Sequence, residues 1–454
     1  MVAIMNNTII IKTISDNQSE LIIDPKRAAE LNLITKKNVY ICFGNQKHYV
    51  HIKISDDVLY QNILISKKLM NEMHLPEYPI YEIAVNKNEI IIGPFIGLLI
   101  SDDDKNLTAS FLNKMMVYIR KYSELHGAVV VFALNKVDTN NLLIEGYCFN
   151  PIENCFQKGV FPYPSAIYRI VGLNDIWKNH FLSTIGDKIF NNHYFSKWEM
   201  HQWFSVDTEI NSHIPYTILY KSNQDVFDML EKFKKIYIKP ISGLRGRGIF
   251  QISKENNLYT FKYREKGSNF TNTFDNLSEV NAYLLKCLYK GRYLIQQAIK
   301  LLEHDGRLID FRCIIQKNQS NSWVCNAVIG RYGDRDSVVS NISSGGKALN
   351  AIDMFKGFLH LSEYQSTFLI REIETFALKI CNKLDEFGIN CGILGLDIAV
   401  DVNNYLWLIE INNRDPDPTI ALDINDEQLY YNLKTTPLFY AKSLAGFKIE
   451  DASS

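Results

Sequence analysis

Gly392 to Asn413 reads GILGLDIAVDVNNYLWLIEINN, two apolar runs separated by Val400-Asp-Val-Asn-Asn404. Asp397 interrupts the first run between Leu396 and Ile398, and Glu410 and Asn412 stand two apart in the second. In a strand, side chains two apart share a face, so Glu410 and Asn412 point the same way. A hairpin closed at Asn403-Asn404 brings Asp397 alongside them and gathers three oxygen-bearing side chains at one point. Hard oxygen donors, few of them from protein, are what Mg²⁺ requires, the remaining positions going to water and phosphate. The same residues equally suit the solvated face of a hairpin, so the stretch by itself leaves both readings open.

A chain of 454 residues, 46% hydrophobic, can bury a sizeable core and divides into about two to four domains. Its net charge of −1, with both signs spread along the chain, excludes the basic footprint of a nucleic-acid binder and a polyanionic tail. The start, MVAIMNNTIIIKTISDN, lacks a basic segment followed by a long apolar run, so no secretory signal is expected. The longest apolar stretch, Glu89 to Ile100, is broken by Gly93 and Pro94 and is too short to span a bilayer, so no membrane partner is expected. Eight scattered cysteines with no CxxC read as buried thiols of a reducing, cytoplasmic setting.

The first hundred residues carry an internal repeat. Asp24-Pro-Lys-Arg-Ala-Ala-Glu-Leu-Asn-Leu33, followed by a strand at Asn38 to Phe43, recurs as Ser66-Lys-Lys-Leu-Met-Asn-Glu-Met-His-Leu75, followed by Tyr81 to Val85. Two units of capped helix, turn and strand pair predict a small pseudo-symmetric β-barrel from about Thr8 to Ile92. Gly93, Pro94 and Gly97 mark a boundary. Beyond it Phe95 to Ile100 is strand-like and Thr108 to His126 has helical spacing. Ala128 to Ala133, Leu142 to Phe149 and Ser165 to Ile170 read as strands, giving a small open α/β domain. After residue 190 the rhythm is α+β. Lys197 opens an amphipathic helix, Phe227 to Lys234 is another, and Leu369, Ile373, Phe376, Ile380, Leu384 and Phe387 form a helical stripe that ends at Gly388 and leads into the hairpin.

Upstream lies Tyr237-Ile-Lys-Pro-Ile-Ser-Gly-Leu-Arg-Gly-Arg-Gly248. Ser242, Gly243, Arg245, Gly246, Arg247 and Gly248 make a cationic, glycine-rich loop between two strands, whose N–H groups could wrap a polyphosphate as a flap. It lacks the Gly-Lys-Ser/Thr ending of a Walker loop, and an ordinary hairpin also uses such glycines. Lys239 lies in a core-type strand, where a lysine needs an anionic partner. Gln296, Gln297 and the following backbone of Ala298 and Ile299 could present a donor and acceptor to an adenine edge. Arg312, paired with Asp310, suits bidentate binding of phosphate or carboxylate, or else forms a structural salt bridge. Arg331 and the loop Asn341-Ile-Ser-Ser-Gly-Gly-Lys347 could hold a second anion.

In this order, the lysines, glycine loop, arginine strand and acidic hairpin resemble the ATP-grasp superfamily, and within it the YheC/YheD-type proteins associated with bacterial endospores. The thirteen- and fifteen-residue spacing from Asp397 to Glu410 and Asn412 is similar to the metal set of D-alanine–D-alanine ligase-like enzymes. The resemblance implies an α+β ATP-grasp fold of two subdomains clamping ATP over residues 191–454, with a flap subdomain at about 205–298. An α/β pre-ATP-grasp domain at 94–190 and the barrel at 1–93 precede it. It implies Lys197 and Lys239 on the phosphates, with Ser242, Gly243, Arg245, Gly246, Arg247 and Gly248 above them, and Gln296, Gln297, Ala298 and Ile299 as the adenine hinge. Asp397, Glu410 and Asn412 would hold two Mg²⁺ ions, while Arg312, Arg331 and Lys239 would steady the transferred phosphate and acyl group. The implied activity is ATP-dependent joining of a carboxylate to an amine through an acylphosphate, on small-molecule, peptide or protein substrates. The implied alternative is a spore-associated structural or binding protein that keeps nucleotide binding alone. Two departures stand out: Arg414-Asp-Pro-Asp-Pro418 replaces the family's smaller Pro-Gly turn, and the residue for the ribose hydroxyls has only Glu303 as a candidate.

Overall fold

Alternating isoleucines, leucines and valines in short strands close the N-terminal segment into a barrel. In the computed structural model, which describes residues 8–15, 19–243, 247–288, 292–338, 346–414 and 416–447, the chain begins with β1 (Thr8–Ile14), β2 (Glu20–Ile23), α1 (Pro25–Glu30), β3 (Asn38–Phe43) and β4 (Gln46–Ile54). It continues with β5 (Asn62–Ser66), α2 (Lys67–Glu72), β6 (Ile80–Asn86) and β7 (Glu89–Gly93), and the strands close in the order β1-β5-β2-β4-β3-β7-β6. The sequence repeat is a repeat of local physics. Asp24 Oδ1 caps α1 through Arg27 N at 2.9 Å, and Ser66 Oγ caps α2 through Leu69 N at 3.3 Å. Each helix is followed by a left-handed residue, Asn32 or His74, and a leucine whose N–H bonds back into the helix, Leu33 to Ala28 O and Leu75 to Met70 O. The inward residues Ile9, Ile11, Leu21, Ile23, Ile41, Phe43, Ile63 and Ile65 are buried.

The next sheet comprises β8 (Phe95–Ser101), α3 (Ala109–Met115), α4 (Tyr122–Leu125), β9 (Ala128–Asp138), β10 (Leu143–Asn150), β11 (Cys155–Pro162), β12 (Ala166–Arg169), α5 (Asp175–Ile185) and β13 (Ile189–Phe190). Its order is β11-β10-β9-β8-β12-β13; β9, β8, β12 and β13 run parallel, and β10 and β11 turn back as an antiparallel edge. The helix expected over Thr108 to His126 is broken by a 3₁₀ turn at Met116–Ile119. Val117, Tyr118 and Ile119 are poor helix formers, and the Tyr122 hydroxyl ties the segment down by donating to Gly127 O at 2.8 Å and accepting from Ile80 N at 3.2 Å. Strand β11, on the sheet's edge, carried no clear apolar alternation and was not anticipated.

Two antiparallel sheets follow. After α6 (Lys197–Ser205), whose Met200 and Phe204 join the core of the second, the first is built from β14 (Thr217–Leu219), α7 (Asn223–Phe233), β15 (Lys235–Pro240), β16 (Phe250–Glu255), β17 (Leu258–Glu265), β18 (Ser268–Phe274), α8 (Leu277–Cys287) and β19 (Tyr293–Gln297), with strand order β14-β19-β15-β16-β17-β18. Val226, Met229 and Leu230 of α7 and Val280 and Leu284 of α8 cover Ile236, Ile238 and Ile252 of this sheet.

The second contains β20 (Glu303–His304), β21 (Arg307–Lys317), β22 (Trp323–Tyr332), β23 (Lys347–Asn350), α9 (Ala351–Leu359), α10 (Glu363–Glu386), β24 (Ile393–Val400), β25 (Leu406–Asn412), α11 (Ile420–Asp423) and α12 (Glu427–Leu444), in the order β23-β22-β21-β24-β25. The stripe Leu369, Ile373, Phe376, Ile380 and Leu384 of α10 is buried against Phe311, Cys313, Leu394, Leu396 and Ile398 on one face. On the other face α11 and α12 cover Ile314 and Ile329, and the Gln316 amide donates to Leu433 O at 2.8 Å. What that second face presents past the cover is polar. Among the described residues no helix is long and apolar enough to cross a membrane.

Candidate functional site

Past the cover of α11 and α12, the second face of the β21–β25 sheet carries a row of charges at one level. Asp310 and Arg312 share a face of β21, but each is satisfied across the ladder, by Arg331 and Asp397 respectively, its direct register partners. Arg331 Nε and Nη2 donate to the two Asp310 oxygens at 2.8 and 2.6 Å, and Arg312 Nε and Nη2 to those of Asp397 at 2.6 and 3.2 Å. Arg331 Nη2 also reaches Asp397 Oδ2 at 3.1 Å. The expected Asp310–Arg312 pair is therefore corrected: directly opposite residues in a ladder lie closer than residues two apart on one strand. All four side chains are buried. Burial alone would raise the Asp397 carboxyl, but the Arg312 and Arg331 guanidiniums outweigh it and hold it at about 2. Burial works against the Arg331 charge, yet Asp310 and Asp397 raise it above the ordinary arginine value. Arg331 thus holds two carboxylates, Asp310 and Asp397.

Strand β25 completes the row through a bulge. Ile398 pairs with Leu408, but Asp397 pairs with Glu410, leaving Ile409 as the extra residue. The bulge turns Glu410 and Asn412 to the face Asp397 uses, while Leu406, Leu408 and Ile411 stay on the α10 side. The Asn412 amide donates to Asp397 Oδ2 at 3.4 Å and to Gly395 O at 3.3 Å. Gly395 has to be glycine: a Cβ there would meet Pro416 Cβ at 2.7 Å and Arg312 Cδ at 3.3 Å. The turn is tied by Asp401, which accepts from Asn403 N, Tyr405 N and Trp407 Nε1, with Asn404 left-handed beside it.

Two lysines face this row from other elements. A capping box between Ser196 and Glu199 starts α6 and sets Lys197 at its first position. Lys197 Nζ lies 2.8 Å from Glu410 Oε1 and 3.3 Å from Gly243 O, so it bridges the hairpin and the glycine loop. Lys239 of β15 donates to Gln296 Oε1 at 2.6 Å. Burial draws its pKa down from the ordinary lysine value to about 8; Glu410, Asp397 and Asp310 oppose the shift and Lys197 adds to it.

The Gln296 amide nitrogen donates in turn to Thr217 Oγ1 at 3.0 Å. Gln296 therefore holds Lys239 from one side and Thr217 from the other, and the Ala298 N–H donates to Lys235 O at 3.2 Å. Gln297 Oε1 accepts from Tyr216 N at 3.4 Å, Ile299 follows at the end of β19, and Glu303 is exposed on β20. Ser242, Gly243, Arg247 and Gly248 are exposed in the loop joining β15 and β16, where Gly248 takes a left-handed φ of +72°. Arg245, Gly246 and residues 341–345 lie outside the described residues.

Asp397, Glu410 and Asn412 supply two carboxylates and an amide, an all-oxygen set that fits Mg²⁺. Among the described residues no group of three His, Cys, Asp or Glu side chains could hold a metal by itself, so water and phosphate would have to complete the coordination. Here Arg312, Arg331 and Lys197 neutralise the two acids. A cleft of about 500 Å³ opens well away from this chemistry, between the α1 end, β6 and Gly446–Phe447. Residues not foreseen are Thr217, Asn191 and Arg169; only Arg169, a cation ending the apolar run Ala-Ile-Tyr, gave a signal in the sequence.

A family model described as YheC/D like ATP-grasp matches residues 186–444, more than half of the chain. The chain belongs to the YheC/D-like ATP-grasp family. Its two antiparallel sheets are the halves of the ATP-grasp fold, and the charged row lies on the second, on the face opposite α10. The endospore coat-associated protein YheD of Bacillus subtilis is 24% identical over 389 residues, covering 83% of this chain and 84% of that protein. YheC of the same organism is 26% identical over 242 residues, covering 53% and 65%. Among solved structures, the VanG D-Ala:D-Ser ligase from Enterococcus faecalis matches with a TM-score of 0.43 at 9% identity, covering 78% of this chain and 99% of that one.

Proposed function

We propose that this protein is an ATP- and Mg²⁺-dependent ligase that joins a carboxylate to an amine, acting on a peptide, protein or amino acid. The observation that carries the reading is Lys197, which bridges Glu410 of the acidic hairpin and Gly243 of the glycine loop, with the buried Lys239 near the same acids. Cations held beside carboxylates in this way suit a site that receives a polyphosphate together with its metal ions. ATP phosphates would draw Lys197 off Glu410, and Lys239 would gain the anionic partner its burial calls for. Bound at Asp397, Glu410 and Asn412, Mg²⁺ would neutralise the phosphoryl charge. Arg312 and Arg331 hold the Asp397 carboxylate ionised and aimed, and the loop above excludes water. A substrate carboxylate oxygen attacks the γ-phosphorus and ADP leaves; the amine nitrogen then attacks the acyl carbon, phosphate departs, and the amine proton passes to solvent.

The test is release of ADP and phosphate from Mg-ATP that rises only when a carboxylate and an amine are both supplied. Asp397→Asn or Glu410→Gln should lower it at least a hundredfold; wild-type turnover in either variant would remove these residues from the site. A second reading, a coat-associated protein that binds nucleotide without ligating, draws on the similarity to the endospore coat-associated proteins YheD and YheC and on the ion pairing of Asp397. Nucleotide binding without turnover across a broad panel of substrates would favour it.

A further inference from the structure

Arg169 ends β12 with 1% of its surface exposed. Its Nη1 donates to Val171 O at 2.8 Å, while Nε and Nη2 are buried without an acceptor among the described residues. The other buried arginines each lie within reach of a carboxylate: Arg27 of Glu30 at 4.0 Å, Arg312 of Asp397 and Arg331 of Asp310. Arg169 instead meets an aromatic ring that a second cation, Arg414, shares. Its guanidinium carbon lies 3.8 Å from the Tyr194 ring centroid, and that of Arg414 lies 5.7 Å from the same ring. A buried guanidinium with open donors and a second guanidinium nearby is unfavourable unless an anion joins them.

The position of the pair says which anion. Arg169 stands at the carboxyl end of a parallel strand, the edge where α/β sheets bind their ligands. That edge is fastened to the hairpin by Asn191, just after β13, whose amide donates to Ile393 O at 2.9 Å and Asn413 O at 3.1 Å. Arg414 follows Asn413 directly, and Pro416 packs on Gly395 beside Arg312. The pair therefore lies beside the acidic hairpin, on elements other than those bearing Lys197, Lys239 and the glycine loop.

We propose that Arg169 and Arg414, both beside the Tyr194 ring, form a subsite for a carboxylate of the acyl substrate other than the one that is activated. The substrate is then an acidic amino acid or a peptide bearing acidic residues, an inference that rests on the ligase reading. Bidentate donation from Arg169 Nε and Nη2 is the contact that selects it.

Binding of N-acetyl-Glu-Glu-amide, N-acetyl-Gln-Gln-amide and inorganic phosphate to the full chain, read by calorimetry, tests this. The diacid should bind at least tenfold tighter than the diamide and than phosphate, and Arg414→Gln should erase that preference. Arg169→Met should erase it too while raising the unfolding temperature, because an unpaired buried charge has been removed; an arginine with a purely structural role would lower it. Equal binding of diacid and diamide, phosphate bound as tightly as the diacid, or diacid binding unchanged in Arg414→Gln overturns the subsite. If the preference and its loss are seen but no substrate supports ATP turnover, the subsite stands and the ligase reading falls. If a dicarboxylate is ligated with the same KM by wild type and Arg414→Gln, the ligase reading stands and the subsite falls.

Discussion

A lysine amine sunk beside Gln296, with a second lysine nearby, is a cation waiting for an anion. Lys239 is depressed to about 8 chiefly by burial, so the folded protein disfavours its charge. Its contribution to stability is unfavourable below about pH 8 and fades as pH rises toward the ordinary lysine value, where the unfolded chain also loses the proton. Function runs the other way, since the charged amine is the form that binds phosphate. Nucleotide affinity should fall by up to about tenfold per pH unit above pH 8, measured with a fluorescent ATP analogue between pH 7 and 9. Lys239→Arg, which keeps its charge, should flatten that profile. The residue types at this site were legible in the sequence because lysines, arginines and acids in apolar strands are conspicuous. Their pairing was not: whether Arg312 meets Asp310 or Asp397 depends on which strand lies alongside.

At the scale of the element, the hairpin shows how little register is written in spacing. Val400 pairs with Leu406 and Ile398 with Leu408, and the regular continuation would set Asp397 opposite Ile409 and turn Glu410 to the α10 face. The bulge reverses this. Asp401 fixes the turn from which that register is counted, and its carboxylate is the shared acceptor of two backbone N–H groups and the Trp407 indole. Asp401→Ala should cost about 2 kcal/mol, read from the urea unfolding midpoint, with a loss of ATP turnover smaller than that of Asp397→Asn. The α10 stripe was legible because a long 3.6-residue period has one interpretation. Thr108 to His126 kept the same spacing, yet Val117-Tyr118-Ile119 and the Tyr122 hydroxyl bonds broke it into shorter pieces.

In the whole molecule, single polar side chains fasten the sheets together. Asn191 uses both ends of its amide, accepting from Gly392 N and Ile393 N as well as donating to Ile393 O and Asn413 O. Glu82 of the barrel meets His126 Nδ1 at 2.9 Å and the buried Lys442 of α12 at 2.5 Å, and Lys442 also donates to Glu124 O at 3.1 Å. Three parts of the chain meet at that one carboxylate. Glu82→Gln should leave Lys442 buried without a counter-charge and lower stability by about 3 kcal/mol, measured by chemical denaturation, with little change in nucleotide affinity because the node is remote from the charged row.

The sequence by itself determined the barrel repeat, the long helix, the strands of the hairpin and the kinds of residue that gather for chemistry. Each of these follows from local periodicity, capping and composition. Only the tertiary structure decided that Arg331 serves Asp310 and Asp397, that Gln296 serves Lys239, that a bulge turns Glu410 toward Asp397, and that Arg169 comes near Arg414. Those contacts join residues far apart in the chain, and strand order, register and the docking of one sheet on another set them, none of which a local pattern encodes.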